Sequence, residues 1–372
     1  MKILAALLAV LSILFGAAVL AYADVIDLPG SWRTTLGFQE EAPNPPCRPG
    51  LYRKSPSSPA PVPGEWKFEP EAPKAPIESG TATIGSTIYV VGGNEPGNLH
   101  TVLAFDTRSG SWSEPTKLPV GLNHVAAASH DGKLYVAGGF LEGEGETDLF
   151  LEYDPVTGKW SEMPPMKRAR GGAAAVTIGD ELYVIDGGPQ PYGVEDPKPA
   201  YAHQEVFDFR TGTWSTKAPP PVGVHHVMAA LLDGKIYMAG GRIDDETSSP
   251  AFVRYDPATD RWTRLRDLPE GKLSSLGVVA AGGRIVAFGG DDEEGWEDGR
   301  GFVSPTAWAY DPETENWTRL PDMHVERHAF GAAATGGRVY AIAGSICPGF
   351  KPNGAVVTHT VESLPVSVVE KR

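Results

Sequence analysis

Six times along the chain a short apolar run ends in a pair of small residues. This recurrence constrains the fold more than any other feature. The pairs are Gly92-Gly93, Gly138-Gly139, Gly187-Gly188, Gly240-Gly241, Gly289-Gly290 and the variant Ala343-Gly344. Their first members lie 46, 49, 53, 49 and 54 residues apart. A near-constant period of this length marks one supersecondary unit used repeatedly.

A second landmark keeps the same period. Trp112, Trp160, Trp214, Trp262 and Trp317 each follow an aromatic residue by seven positions: Phe105, Tyr153, Phe207, Tyr255 and Tyr310. Three of these intervals read YDPVTGKW, YDPATDRW and YDPETENW. Each unit holds four short β-type runs bounded by turn residues; in the second they are HVAAAS, KLYVAGG, LFLEYD and KWSEM. Runs a and b are joined by Asp-Gly turns such as Asp131-Gly132 and Asp233-Gly234, which supply the positive φ of a two-residue hairpin. A single four-stranded sheet cannot bury both faces. Stacked around an axis, each covers its neighbours.

A glycine doublet followed by a spaced Tyr and Trp resembles the kelch repeat, over residues 64–364. The expected fold is all-β: a six-bladed kelch β-propeller of four-stranded antiparallel blades. The regular spacing assigns the tryptophans to the core between blades. The last unit lacks a tryptophan, whereas Gly64-Glu65-Trp66-Lys67-Phe68 stands alone before the first unit. An N-terminal strand d carrying Trp66 is therefore expected to complete the sixth blade and close the ring, removing open edges.

The segments outside the repeats have their own character. Lys2, an apolar run from Ile3 to Leu20 and Ala21-Tyr22-Ala23 read as a signal peptide, residues 1–23, cleaved near Asp24. The alternative is an uncleaved anchor. Residues 24–63 form a Pro- and Ser-rich arm, and 365–372 a short C-terminal tail. A secreted or periplasmic protein without stable membrane insertion after cleavage is expected. Its two cysteines, Cys47 and Cys347, either form one disulfide or remain separate thiols. The net charge of −15 disfavours nucleic acid and anionic membrane surfaces as partners.

Function is expected on one face. The a–b and c–d turns are short and uniform. The b–c loops vary, with 11, 13, 18, 13 and 19 residues between doublet and strand-c aromatic in the first five units. Variable loops on a rigid scaffold are the usual place for function. The d–a connections deliver equivalent residue pairs to the same face: Ile77-Glu78, Asn123-His124, Gly171-Gly172, His225-His226, Ser274-Ser275 and His328-Ala329. Arg170 and Arg327 precede two of these pairs, and Arg242 follows the fourth doublet. The candidate ligand-binding set is thus Glu78, Asn123, His124, Arg170, His225, His226, Arg242, Ser275, Arg327 and His328. Its histidines offer donors, acceptors and protons near neutral pH, and its arginines a clamp for a carboxylate. Rim candidates are Tyr192 and Tyr201 in the third b–c loop, and Asp291 and Trp296 in the acidic fifth loop.

No phosphate-cradling loop, nucleophile elbow or H-E-x-x-H motif is present. No catalytic residue, cofactor or metal ligand is assigned from the sequence. The first functional expectation is a binding module for a protein or glycan. The second is an acidic-sugar mutarotase, because the chain is similar to the sialic acid mutarotases in its signal peptide, its six units and its arginines before strand a. A third resemblance, to the copper oxidase galactose oxidase, would require tyrosine and histidine ligands and a cysteine–tyrosine crosslink.

Overall fold

The computed structural model describes residues 59–94, 100–142, 145–189, 199–244, 247–292, 294, 301–347 and 356–370. The signal peptide, most of the arm and Cys47 lie outside the described residues. So do Tyr192, Trp296 and the rest of the fifth loop from 295 to 300. Among the described residues no helix is long and apolar enough to cross a membrane.

Six four-stranded antiparallel sheets carry the repeats. The first comprises Gly80–Ile84, Thr87–Val91, Thr101–Asp106 and Ser111–Lys117. The second comprises Ala126–His130, Lys133–Ala137, Phe150–Asp154 and Lys159–Glu162; the third, Ala174–Ile178, Glu181–Ile185, Gln204–Asp208 and Thr213–Thr216. The fourth comprises Met228–Leu232, Lys235–Ala239, Phe252–Asp256 and Arg261–Arg264; the fifth, Gly277–Ala281, Arg284–Phe288, Ala307–Asp311 and Asn316–Leu320. The sixth is made of Gly331–Thr335, Arg338–Ile342, Val361–Pro365 and the N-terminal strand Lys67–Glu69. Lys67 pairs with Ser363, and Glu69 with Val361.

The core lies between sheets. One cluster joins the first and second sheets through Val91, Val102, Leu134 and Tyr153. Another joins the sixth and first through Tyr340, Ile342, Ile88 and Phe105. The first strand of each sheet touches that of the next, and Gly331–Thr335 touches Gly80–Ile84 in turn. The spaced aromatics pair directly across strands c and d: Phe105 with Trp112, Tyr153 with Trp160, Phe207 with Trp214, Tyr255 with Trp262 and Tyr310 with Trp317.

Each of these indoles also reaches back to the preceding sheet. Trp160 Nε1 donates to Thr116 Oγ1 (3.1 Å), Trp214 to Pro164 O (2.8 Å), Trp262 to Ala218 O (3.0 Å) and Trp317 to Arg266 O (3.1 Å). Trp66 donates to Pro321 O after the fifth sheet (2.8 Å), and Trp112 to Pro70 O after the N-terminal strand (3.0 Å). The indole is an apolar wedge with one donor, so a buried Trp needs such an acceptor. Trp66 takes the same role in the sixth sheet, packed with Leu364 where other sheets have an aromatic. The C-terminal tail packs: Val366–Val369 forms one helical turn, with Val368 and Val369 buried against the fifth and sixth sheets.

The third doublet needs a correction of one residue. Isolated bridges join Gly171 to Gly188, His225 to Arg242, Ser274 to Asp291 and His328 to Ser345. Gly188 is therefore the counterpart of Arg242, and the doublet position proper is Asp186-Gly187. The left-handed φ values agree: 67° at Gly92, 63° at Gly138, 58° at Asp186, 68° at Gly240, 66° at Gly289 and 55° at Ala343. Neighbouring backbone presses on several of these sites. A Cβ on Gly138 would meet Arg170 O at 2.3 Å, and one on Gly240 would meet Leu273 O at 2.4 Å. Asp186 occupies this position with a fully buried carboxyl whose Oδ2 has no hydrogen-bond partner. Burial holds its pKa well above 3.8, against the pull of main-chain hydrogen bonds from His203 and Val224.

Two opposite effects on stability follow. Gly138→Ala should cost about 1–3 kcal/mol in urea unfolding, through the Cβ clash and the positive φ. Asp186→Asn should stabilise, because asparagine tolerates the left-handed region and carries no charge to bury. A carboxyl with a raised folded pKa favours the fold fully only below its unfolded value of 3.8. The gain from Asp186→Asn should therefore be small at pH 3.5 and grow as pH rises to 7.

Candidate functional site

The d–a connections bring six equivalent residues to the axis, all with left-handed backbones. Their φ angles are 55° at Glu78, 54° at His124, 65° at Gly172, 55° at His226, 50° at Ser275 and 53° at Ala329. Main-chain bonds link them in succession. Glu78 N donates to Ala329 O (3.1 Å), His124 N to Glu78 O (2.7 Å) and Gly172 N to His124 O (2.8 Å). Val227 N makes a long bond to Gly172 O (3.5 Å), Ser275 N donates to His226 O (3.0 Å) and Ala329 N to Ser275 O (2.9 Å). A left-handed residue turns its N–H and C=O away from the ordinary strand ladder, and here they meet across sheet boundaries. All six residues line a central pocket of about 400 Å³, whose walls are the small residues of the first strands, including Thr81, Ala127 and Ala175.

The side chains of this circle converge on one side. His124 Nε2 lies 2.8 Å from His226 Nε2. Glu78 places Oε2 3.4 Å from His124 Nε2 and Oε1 3.8 Å from His226 Nε2. The other ring nitrogens are engaged as well: His124 Nδ1 with Asn123 Oδ1 (2.5 Å) and His226 Nδ1 with His225 Nδ1. Burial pushes the pKa of His124 down to about 3, helped by His225 and Arg242. Burial and then Arg242 bring His225 to about 3 as well, and burial takes His226 well below the usual imidazole value. These histidines are neutral at pH 7. The sequence-based expectation of protons exchanging near neutrality is thereby corrected: desolvation makes the imidazoles lone-pair donors and hydrogen-bond partners instead.

A second polar group sits beside the first. Arg242 Nε donates to Ser274 Oγ (2.9 Å), and its Nη2 lies 3.3 Å from Asp291 Oδ2. Ser274 Oγ donates to Asp291 Oδ1 (2.7 Å), and His328 Nδ1 lies 3.2 Å from Asp291 Oδ2. His328 Nε2 bonds Cys347 O (2.7 Å). Asp291 is thus a fully buried counter-ion rather than part of a solvated rim.

Arg170 and Arg327 belong elsewhere. Both are fully buried and spent on their own sheets. Arg170 Nη1 donates to Asp186 O and His203 O, and Nη2 to Glu205. Arg327 repeats the pattern, with Nη1 on Ala343 O (2.9 Å) and Thr360 O (2.7 Å) and Nη2 on Glu362 Oε1 (2.6 Å). Each clamps a d–a connection to strand c of its sheet. Neither offers a guanidinium to a sugar carboxylate. The partners Glu205 and Glu362 were not singled out from the sequence, although each follows its arginine by 35 residues. Tyr201 remains at the loop face, half-buried, with the Arg168 guanidinium 3.4 Å from its ring centre. Cys347 is buried and disulfide-bonded, so it is not a thioether bridge to tyrosine; its expected partner, Cys47, lies outside the described residues.

The buried ion pairs set a stability expectation. Glu362→Leu strands the Arg327 charge and should cost about 3–5 kcal/mol, whereas Arg327→Met combined with Glu362→Leu should recover much of that loss. Urea unfolding of the two variants measures the difference.

Residues 88–347 match the Attractin/LZTR1 beta-propeller family. The chain is 27% identical over 333 residues to Kelch-like protein terF of Aspergillus terreus, covering 83% of this chain and 70% of that one. It is 27% identical over 262 residues to Kelch-like protein 25 of Xenopus tropicalis, covering 70% of this chain and 43% of the relative. Human Kelch-like protein 23 is 25% identical over 261 residues, with 69% and 44% covered. The chain thus spans under half the length of these vertebrate relatives. The solved structure of YjhT superposes with a TM-score of 0.67 at 16% identity, covering 78% of this chain and 95% of that one.

Proposed function

Because the chain belongs to the Attractin/LZTR1 beta-propeller family, we propose that it is an exported, six-bladed kelch propeller that binds a protein or glycan through its b–c/d–a face. The observation that carries this reading is the asymmetry of the two faces. Every a–b turn holds two residues: Gly85-Ser86, Asp131-Gly132, Gly179-Asp180, Asp233-Gly234, Gly282-Gly283 and Gly336-Gly337. The opposite face carries long b–c segments, such as those between Ile185 and Gln204, Phe288 and Ala307, and Ile342 and Val361. Two-residue turns leave little surface to vary, whereas long loops on a packed scaffold can be shaped to a partner.

The loop face offers apolar side chains to a partner, although Val156 and Leu231 are exposed by the opposite turns as well. Ile243, next to Arg242, and Val356 are both exposed there. Tyr201 adds an aromatic surface of the kind enriched in contact sites. The buried Arg242, Asp291 and Ser274 network holds the loop bases in place beneath them. Export rests on the charged and apolar leader with Ala21-Tyr22-Ala23, and the net charge of −15 points away from nucleic acid.

Binding to a glycan array and to a panel of extracellular protein domains provides the test. For a bound ligand, Tyr201→Ala and Ile243→Asp should each weaken binding roughly tenfold, the size of a contact worth over 1 kcal/mol. Asp131→Asn and Asp233→Asn, on the opposite face, should leave it unchanged. Loss of binding only in the turn variants would place the partner on the wrong face for this proposal.

A further inference from the structure

We propose that Glu78, His124 and His226 form a mononuclear site for a divalent first-row transition-metal ion, on the axis where the six connections meet. The three residues come from three different sheets, yet offer one ligand atom each within 4.8 Å of one another. Two imidazole nitrogens 2.8 Å apart can both reach one ion at about 2.0–2.1 Å. A carboxylate oxygen 3.4 Å from the first is spaced like adjacent corners of a coordination polyhedron with bonds of that length.

The hydrogen-bond partners of the rings favour the same assignment. Asn123 Oδ1 only accepts, so His124 Nδ1 carries the proton and His124 Nε2 presents a lone pair. The proton between His226 Nδ1 and His225 Nδ1 sits on one ring or the other according to tautomer; where His226 holds it, His226 also turns an Nε2 lone pair inward. In that tautomer two lone pairs face each other across 2.8 Å, and a cation between them, balanced by the Glu78 carboxylate, makes the contact attractive; in the other tautomer His226 Nε2–H donates to His124 Nε2. Metal-binding histidines commonly have the second ring nitrogen held by an outer partner in this way. Arg242, the guanidinium that repels charge on these rings, is matched by Asp291.

The donor set selects the ion. Two imidazoles and one carboxylate suit zinc, iron(II) or copper(II), and are a poor match for calcium or magnesium, which prefer oxygen. Three protein ligands leave coordination positions open. The remaining circle positions, Gly172, Ser275 and Ala329, carry small side chains beside the central pocket.

The test uses the full exported chain, produced without a polyhistidine tag and stripped with chelator. Titration with Zn²⁺ by calorimetry should show one ion per chain, and loading with Co²⁺ should give visible d–d absorption. Glu78→Gln and His226→Asn should each weaken Zn²⁺ binding at least 100-fold and abolish the Co²⁺ bands. Asn123→Ala, which removes only an outer partner, should weaken it about 10- to 100-fold. His359→Ala, whose Nδ1 bonds Ala72 O far along the chain, should change nothing. Circular dichroism and thermal melts establish that each variant is folded, and the Gln and Asn replacements keep shape at left-handed positions. No stoichiometric Zn²⁺ binding by the wild-type chain would overturn the proposal. So would binding retained in folded Glu78→Gln and His226→Asn. Ligand binding through the loop rim is read separately on the array, so either result leaves the other distinguishable.

Discussion

The structure depends on a circle of main-chain hydrogen bonds between residues that begin the innermost strands. Its members must sit in the left-handed region, where a non-glycine residue costs roughly 1–2 kcal/mol. Five of the six positions nevertheless carry side chains: Glu78, His124, His226, Ser275 and Ala329. That conformational cost is borne because each bond satisfies a buried polar group that an inner strand end would otherwise leave bare. The same geometry places the side chains of different sheets within reach of one another at the axis. Scaffold and site are therefore one feature: the bonds that join the sheets also gather Glu78, His124 and His226.

Much of the fold was legible in the sequence. The Trp and aromatic spacing gives directly opposed partners in strands c and d, and the strand that follows Trp66 pairs with Val361–Pro365 in the sheet that lacks a tryptophan of its own. In the third repeat the glycine pair stands one residue past the doublet position, because Asp186 breaks the glycine pattern while keeping the glycine conformation. An aspartate can adopt that backbone, so residue type alone did not mark the position. The ring of equivalent residues was also legible, since alignment of the strand-b runs needs only the period.

The chemistry of those residues was less legible. Arg170 and Arg327 look from their positions like ligand clamps, but burial commits them to Glu205 and Glu362. That pairing spans 35 residues and depends on strand c lying beside the d–a connection, which a period count does not convey. Asp291 reads as part of an acidic run, yet its carboxylate is drawn under the loop by Arg242 and Ser274. The histidines read as neutral-pH proton carriers until desolvation is taken into account. In each case the deciding quantity is access to water, which belongs to packing rather than to spacing.

The N-terminal strand carries one more implication. Among the described residues, Lys67–Glu69 is the first strand to be made, and the strand it pairs with, Val361–Pro365, is the last. Order of synthesis and order of assembly therefore run opposite for this one element. The first five sheets can stack on their neighbours as they emerge, in the manner of other repeat proteins. Trp66 has no bed until nearly the whole chain is available, and its large apolar ring must stay uncovered meanwhile. The sixth sheet is thus completed by the two stretches that meet latest, and a chain halted anywhere before residue 361 lacks the strand that Lys67–Glu69 pairs with.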